Sequence, residues 1–149
     1  MFLGRFYHTI DEKGRLTVPA RYRDLLQPAG AYIMQGFDKN LMIFPSAAFE
    51  ALSRRVRQLD MTDSATRLLR RMLYSTGEYV TVDKGGRILI PQFLRLANGL
   101  QCDVVVVGSG DYFEIWSPEE WEPQNERLLD AQANADRFKG LDLPSAFAG

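Results

Sequence analysis

The chain contains one sequence pattern twice, at an offset of 72 residues and without a gap. The pattern reads D-x-x-G-R-x-x-x-P, and at ordinary residue frequencies a second copy arises by accident about once in a thousand cases or less. A period of this length exceeds the roughly 20 to 50 residues of solenoid repeats, so it predicts a small domain present twice. The matched pairs are Asp11 and Asp83, Gly14 and Gly86, Arg15 and Arg87, Pro19 and Pro91, Arg23 and Arg95, and Gly36 and Gly108.

Each repeat begins with a predicted β-hairpin. In the first repeat, residues 7–10 and 15–18 are rich in strand-forming side chains and flank a turn at 11–14. The aspartate that opens the turn can accept hydrogen bonds from nearby backbone amides, and the closing glycine can adopt a positive φ. The second repeat has the same arrangement, with predicted strands at 78–82 and 87–90.

The later elements also come in corresponding pairs. A proline ends the second strand of each repeat and favours a short helix after it, and a second hairpin with a polar turn follows. Hydrophobic residues at helical spacing then predict longer helices. The predicted short helices are 20–26 and 92–97; the hairpin strands are 32–36 with 41–44 and 104–108 with 112–116; the longer helices are 46–59, 62–74, one from Pro118 and one from about Glu126, before a tail through Leu143 and Pro144.

These elements predict an α+β fold in which the two repeats form an intramolecular pseudo-dimer. A unit of about 40 to 50 residues buries too little surface to be stable alone, so pairing within one chain has a physical reason. We expect interleaved strands in a small β-barrel with helices around it. The predicted domains are 1–73 for the first unit with its basic helices, 74–122 for the second unit, and 123–149 for a C-terminal helix and tail.

Charge is divided unequally along the chain. Residues 1–71 hold 12 Lys or Arg against 7 Asp or Glu, a net charge of +5, whereas residues 72–149 hold 6 against 12, a net charge of −6. This asymmetry predicts a polyanion-binding face on the first half, or subunits that stack basic half against acidic half. Both can hold in one oligomer.

Few chemistry-bearing residues are present. The single cysteine, Cys102, excludes an internal disulfide and a cysteine-based zinc site, and a catalytic triad or multi-histidine centre would depend almost entirely on His8. Glu119 and Glu120 are adjacent and so do not face each other on a helix. We therefore expect no enzyme activity, cofactor, metal or small-molecule substrate. Without a long apolar run or a signal-peptide pattern, we also expect no membrane partner and a cytoplasmic location.

Three stretches of the sequence closely resemble the bacterial MraZ family, over Met1 to about Trp121. They are residues 8–19 (HTIDEKGRLTVP), 83–91 (DKGGRILIP) and 113–117 (FEIWS). The resemblance implies two tandem AbrB-like swapped-hairpin units, each marked by D-x-x-x-R. It also implies a transcriptional regulator of the division and cell wall gene cluster. Such a protein binds direct repeats in double-stranded promoter DNA as a ring-shaped homo-oligomer at the nucleoid. We expect it to repress transcription. The Lys84-Gly85-Gly86 turn departs from the family pattern in being unusually rich in glycine.

The candidate DNA-binding residues are Arg15, Arg87, Lys13, Lys84 and Arg23. A planar guanidinium can bind phosphate or the O6/N7 edge of guanine, and the resemblance favours DNA contact by the arginine of the first motif, Arg15. The alternative is an ion pair with the aspartate four residues earlier that only stiffens the turn. The two lysines near the turns are candidate phosphate contacts or ordinary solvated side chains. For Arg23, as for Arg95, stabilisation of a helix C-terminus is the competing role.

Two further interpretations remain open. The arginines between Arg54 and Arg71 could follow phosphates, form a solvated helix face, or meet the acidic half of a neighbouring subunit. A rival hypothesis for the whole chain is a protein-binding module, such as an antitoxin, in which the motif arginines serve only the turns. A toxin gene directly downstream would favour this rival, and a division or cell wall cluster would favour the regulator.

Overall fold

The computed structural model describes residues 1–143, which divide into one compact unit spanning Met1–Pro118 and another that begins at Glu119. The described residues form eight strands and six helices. In chain order they are β1 (Arg5–Thr9), β2 (Arg15–Thr17), α1 (Ala20–Leu26), β3 (Ala31–Gln35), β4 (Leu41–Pro45), α2 (Ser46–Arg57), α3 (Ser64–Thr76), β5 (Glu78–Val80), β6 (Arg87–Leu89), α4 (Gln92–Ala97), β7 (Asp103–Gly108), β8 (Phe113–Trp116), α5 (Pro118–Leu128) and α6 (Ala131–Arg137).

The strands form two antiparallel sheets, and both contain strands of the two repeats. Six strands pair in the order β1-β7-β8-β4-β3-β5, and β2 pairs with β6 in a separate two-stranded ribbon. The first strand of each repeat joins the other repeat, because β1 pairs with β7 and β5 pairs with β3. The fold is therefore α+β with interleaved strands, as expected from the duplication.

A pseudo-twofold axis relates the two repeats, and the strand registers locate it. In the ribbon, Leu16 lies opposite Ile88, the residue 72 positions further along. In the sheet, Met42 lies opposite Glu114, again 72 positions further along. A residue that pairs with its own counterpart lies on the axis that relates them. The axis therefore passes through the centre of the ribbon and between β4 and β8.

The predicted pairing of the first hairpin in each repeat is wrong. Its turn does form, since the amide of Asp11 donates to the carbonyl oxygen of Arg15 at 2.9 Å and Ile10 forms an isolated bridge with Leu16. Beyond this bridge the two arms separate, β1 toward β7 and β2 toward β6. Alternation along a strand specifies which face is buried but not which strand lies beside it. Pairing across the repeats buries the same alternate residues as a hairpin within one repeat would.

Strand β7 departs from the gap-free alignment by one residue. Tyr32 of β3 lies opposite Phe44 and Tyr79, and the counterparts of those two partners, Trp116 and Tyr7, both lie opposite Val105. Val105 is 73 residues after Tyr32, not 72. The structural counterparts in β3 and β7 are therefore offset by one more residue than the rest of the repeat.

The predicted equivalence of Gly36 and Gly108 is wrong for this reason. Residues 104–107 are four consecutive valines, and the first three are at most 1% exposed. A strand buried on both faces has no apolar–polar alternation, so its sequence does not specify the register.

Two hydrophobic clusters lie on opposite faces of the six-stranded sheet. Ile33 and Ile43 face the first cluster, which also contains Leu16 and Ile88 from the ribbon and residues of α1 and α4. The alternate strand residues Met34, Met42 and Phe44 face the second cluster, which is covered by α2 and α3. The ribbon and the α2–α3 pair therefore lie on opposite sides of the sheet.

Helices α1 to α4 agree with the sequence prediction to within two residues, whereas the last predicted helix, from about Glu126, begins at Ala131 because α5 continues to Leu128. The bounds of α1 and α4 are those predicted, and each helix follows a proline. α3 starts two residues later than predicted because the side chain of Asp63 accepts a hydrogen bond from Ala65 N and caps the helix there. In the unit that begins at Glu119, Asp130 caps α6 in the same way. The part of the predicted tail from Pro144 onward lies outside the described residues.

Candidate nucleic-acid interface

The two D-x-x-x-R motifs form turns of the same geometry. Asp11 Oδ1 accepts hydrogen bonds from the amides of Lys13 and Arg15, both at 2.9 Å, and its Oδ2 accepts one from Arg15 Nε at 2.8 Å. In the second motif, Asp83 accepts from the amides of Gly85 and Arg87 at 2.8 and 2.9 Å, and from Arg87 Nε at 3.2 Å. The ion pair considered as the alternative role for each arginine is thus present in both motifs.

These contacts favour the ionised form of both aspartates. Hydrogen bonding from the backbone amide of Arg15 is the largest cause of the lowered pKa of Asp11, and the amide of Arg87 lowers the pKa of Asp83 in the same way. Hydrogen bonds to a carboxylate favour its charged form. Each turn therefore carries a fixed negative charge that positions one guanidinium on the surface.

The two motif arginines differ in their surroundings. Arg87 Nη1 lies 3.9 Å from Asp11 Oδ2 of the other repeat, in addition to its pair with Asp83. Among residues 1–143, Arg15 forms an ion pair with Asp11 alone. The two side chains are 30% and 33% exposed, so both remain accessible. Arg87 is shared between two carboxylates, whereas Arg15 is held by one.

Two further arginines cross between the repeats beneath these turns. Arg23 Nε donates to the carbonyl oxygen of Val18 at 2.9 Å, and its guanidinium lies against Gly86, where an added Cβ would meet Cζ at 2.6 Å. Arg95 repeats this arrangement, donating to Ile90 O at 3.2 Å and lying against Gly14. Both bonds use the carbonyl that precedes the helix rather than the C-terminal carbonyls of the competing capping role. Each arginine therefore supports the turn of the opposite repeat.

The two candidate lysines do not occupy equivalent places. At the 72-residue offset, Lys13 corresponds to Gly85, and Lys84 corresponds to Glu12. Both lysines are exposed, each within its own turn. The two turns therefore carry their lysines at different positions of the motif.

The outer face of the ribbon joins the two turns. Leu16 and Ile88 point into the core, so the residues on either side of them point outward. In the ladder, Arg15 lies opposite Leu89, and Thr17 lies opposite Arg87. Sequence reasoning did not select Thr17 or Leu89. The available signal was the alternation in β6, because the apolar residues 88 and 90 on the core side place residue 89 outside.

Other candidates lie elsewhere or have structural contacts. The arginines of α2 and α3 are on the opposite side of the sheet from the ribbon; there Arg67 Nη1 donates to the Met61 carbonyl at 2.9 Å, and Arg70 lies over the Tyr74 ring. His8 Nδ1 donates to the Thr17 carbonyl at 2.7 Å.

Among residues 1–143, no cluster of three His, Cys, Asp or Glu could hold a metal ion. Within the same range, every helix is too short or too polar to cross a bilayer.

Comparison with known proteins gives an independent result. The profile of the MraZ protein family, which is described as antitoxin-like, matches residues 1–72 and 73–141, two segments with the period of the internal repeat. A protein named transcriptional regulator MraZ from Roseiflexus sp. (strain RS-1) is 48% identical over 139 residues, covering 93% of this chain and 94% of its own length. Proteins of the same name from Thermomicrobium roseum and Herpetosiphon aurantiacus are 43% identical over 128 residues (86% and 89% covered) and 39% identical over 144 residues (96% and 100% covered).

Proposed function

The chain belongs to the MraZ family, and from this premise we propose that it is a sequence-specific DNA-binding transcriptional regulator. Its DNA-binding surface is the outer face of the β2–β6 ribbon together with the two D-x-x-x-R turns. The relatives carry the name of a regulator and not of an enzyme, in agreement with the expectation that the chain has no catalytic activity.

The observation that carries this proposal is the pairing of β2 with β6 across the repeats. It brings the two motifs together, so that Arg87 reaches Asp11 at 3.9 Å. Two motif arginines and two turn lysines then occupy one exposed surface, although 72 residues separate the motifs in sequence. The major groove admits a two-stranded β-ribbon, and guanidinium groups suit guanine edges and phosphates.

The residues of this surface have different proposed roles. Arg15, held by one carboxylate, contacts bases, and Arg87, shared between two carboxylates, contacts DNA more weakly. Lys13 and Lys84 contact phosphates, because exposed turn lysines act as mobile point charges. Arg23 donates through Nε to the Val18 carbonyl oxygen and packs against Gly86, and its Nη groups, which have no hydrogen-bond partner among residues 1–143, remain for a phosphate.

We propose further that the protein acts as a ring-shaped homo-oligomer on direct repeats upstream of the division and cell wall gene cluster, as a repressor. One ribbon carries few cations, so a single subunit makes few phosphate contacts and binds weakly. Several subunits on several repeats gain from a high effective concentration. The basic first half and acidic second half favour contacts between subunits.

The remaining parts of the proposal concern the barrel and the location. The sheet and the ribbon share one core cluster, which favours the small AbrB-like barrel with helices around it. The domain boundaries at 73 and 122 belong to the same proposal. Because its ligand is chromosomal DNA, the protein is placed in the cytoplasm at the nucleoid.

A fluorescence anisotropy titration tests this function. The wild type is titrated onto its own upstream duplex and onto a scrambled duplex at two salt concentrations. We expect preference for its own DNA and an affinity that falls steeply with salt. Arg15→Ala should lose this preference while keeping the same mass in sedimentation, and Arg54→Ala, an exposed arginine of α2, should retain it. If neither duplex is bound, the DNA-binding proposal is wrong, and a protein-binding module of the antitoxin kind is the next candidate.

A further inference from the structure

We infer that Leu89 contacts the methyl group of a thymine beside the base bound by Arg15, so that the two halves of the ribbon read different bases. This inference rests on the proposed DNA-binding function and assigns a specificity-determining residue to the same surface. It follows from the register of the ribbon, the exposure of Leu89 and the difference between the repeats at this position.

The register places Leu89 next to Arg15 on the outer face. Hydrogen bonds from Ile90 N to Gly14 O at 2.9 Å and from Val18 N to Gly86 O at 2.8 Å mark both ends of the ladder. Because hydrogen-bonded pairs alternate with non-hydrogen-bonded pairs, the Arg15–Leu89 pair occupies a non-hydrogen-bonded position. Side chains approach each other most closely at such positions.

The surroundings of Leu89 favour DNA over an apolar protein surface. Leu89 is 57% exposed, with Arg15 opposite and Arg87 two residues earlier on the same face of β6. An apolar partner covering Leu89 would also have to desolvate these guanidinium groups. The major groove offers both chemistries side by side, because the thymine C5 methyl is an apolar patch between hydrogen-bonding base edges.

The pseudo-twofold counterpart of Leu89 is Thr17, which lies opposite Arg87. One half of the outer face is therefore an arginine beside a leucine, and the other half is an arginine beside a threonine. A threonine can hydrogen-bond to a base edge, whereas a leucine can only make apolar contact. A ribbon with unequal halves binds an asymmetric sequence in one orientation, which suits sites repeated in the same direction.

Uracil substitution tests the contact directly. Each thymine in one repeat of the upstream duplex is replaced singly by deoxyuridine, which removes the C5 methyl group and leaves the hydrogen-bonding edges unchanged. We expect one position at which wild-type affinity falls about threefold to fivefold, the worth of one buried methyl group. Leu89→Ala, with a shorter side chain, and Leu89→Ser, with no methyl group, should bind more weakly and lose this sensitivity. Leu68→Ala, which alters a 68% exposed leucine of α3, should keep it.

Each contrary outcome has a distinct meaning. A wild type that prefers its own DNA but tolerates uracil at every position overturns the inference and leaves the proposed function standing. Sensitivity that persists in both Leu89 variants also overturns it. If the Leu89 variants lose oligomer mass and retain the sensitivity, Leu89 belongs to a contact between subunits instead. If the wild type binds no DNA, the proposed function fails and the inference falls with it.

Discussion

Arg87 and Asp11 belong to different repeats, yet their side chains form an ion pair at 3.9 Å. This contact makes the two motifs one unit and makes their arginines unequal, since Arg87 faces two carboxylates and Arg15 faces one. Attraction to two carboxylates opposes the transfer of Arg87 to a phosphate or a base.

The first prediction concerns this inequality. We expect Arg15→Ala to lower the affinity for the upstream duplex by about 1–3 kcal/mol, the range for a bidentate base contact. Arg87→Ala should lower affinity less and the melting temperature more, because it removes the contact that joins the motifs. Anisotropy titrations and thermal melts of both variants measure the two effects. Equal losses of affinity would contradict the assignment of Arg15 as the base-contacting arginine.

The second prediction concerns the contact between Arg23 and Gly86. An alanine at Gly86 would take φ of +76° and place Cβ 2.6 Å from Arg23 Cζ, whose guanidinium is held by the bond to Val18. Gly110 is the matched control, because its φ is +83° and no heavy atom lies within 4 Å of an added Cβ.

Gly110→Ala should therefore show backbone strain alone, about 1–3 kcal/mol of unfolding free energy, and Gly86→Ala should lose more. Adding Arg23→Ala removes the clash, so the double variant should lose less than the sum of the single losses. Urea unfolding of the single and double variants measures this coupling. Additive losses would show that Arg23 moves away without cost.

The third prediction concerns acid stability. Hydrogen bonds lower the pKa of Asp11 in the folded state, relative to about 3.9 in an unfolded chain. A depressed carboxyl pKa contributes stability that is present above the unfolded pKa and is lost as pH falls through the folded pKa. Asp11→Asn should therefore be less stable than wild type at neutral pH, and the difference should shrink below about pH 4.

Urea midpoints at neutral and acid pH measure this difference. The control is Asp24→Asn, an exposed residue of α1 that removes the same charge. A constant gap between Asp11→Asn and wild type at all pH values would show that the carboxylate charge does not contribute.

The fourth prediction concerns Glu114, which lies opposite Met42 on the pseudo-twofold axis. Burial raises the pKa of Glu114, although Trp116 Nε1 donates to its Oε1 at 3.1 Å. A raised carboxyl pKa means that ionisation at neutral pH costs stability, and that this cost disappears as pH falls below the unfolded value of about 4.3.

Glu114→Gln retains an oxygen acceptor for Trp116 and carries no charge. We expect it to melt at a higher temperature than wild type at pH 7 and at a similar temperature near pH 4. Glu50→Gln, at an exposed position of α2, is the control for the loss of one negative charge. A lower melting temperature at pH 7 would show that the Glu114 carboxylate is stabilised by its neighbours.

Much of this fold could be predicted from local sequence, including the second hairpin of each repeat, but the partners of the first two strands of each repeat could not. The prolines predicted where α1 and α4 begin, and the Asp11 turn formed as expected. The partner of β1 was not encoded locally, because a hairpin within one repeat and a pair across repeats bury the same alternate residues. The register of β7 was also not encoded, since Val104, Val105 and Val106 are buried whichever way they point.

The candidate site was predictable in composition but not in arrangement. The repeated motif identified Arg15 and Arg87, and their aspartates are the partners expected at i−4. The contact of Arg23 with Gly86 depends on pairing between segments more than 60 residues apart, so no local pattern could reveal it. Leu89 was missed because an exposed leucine indicates a binding residue only when its neighbours across the sheet are known. Here the neighbour is Arg15, which lies opposite it in the ribbon.

The pairing of Leu16 with Ile88 has an evolutionary consequence. In a homodimer of single-repeat chains, positions that face each other across the axis are encoded once, and every mutation alters both. Fusion of the two copies into one gene frees each position to mutate separately. Leu16 and Ile88 occupy one position of the duplicated unit, and Thr17 and Leu89 occupy the next, so each pair shows that the two copies have diverged. A fused chain can thereby acquire a target without twofold symmetry through single mutations.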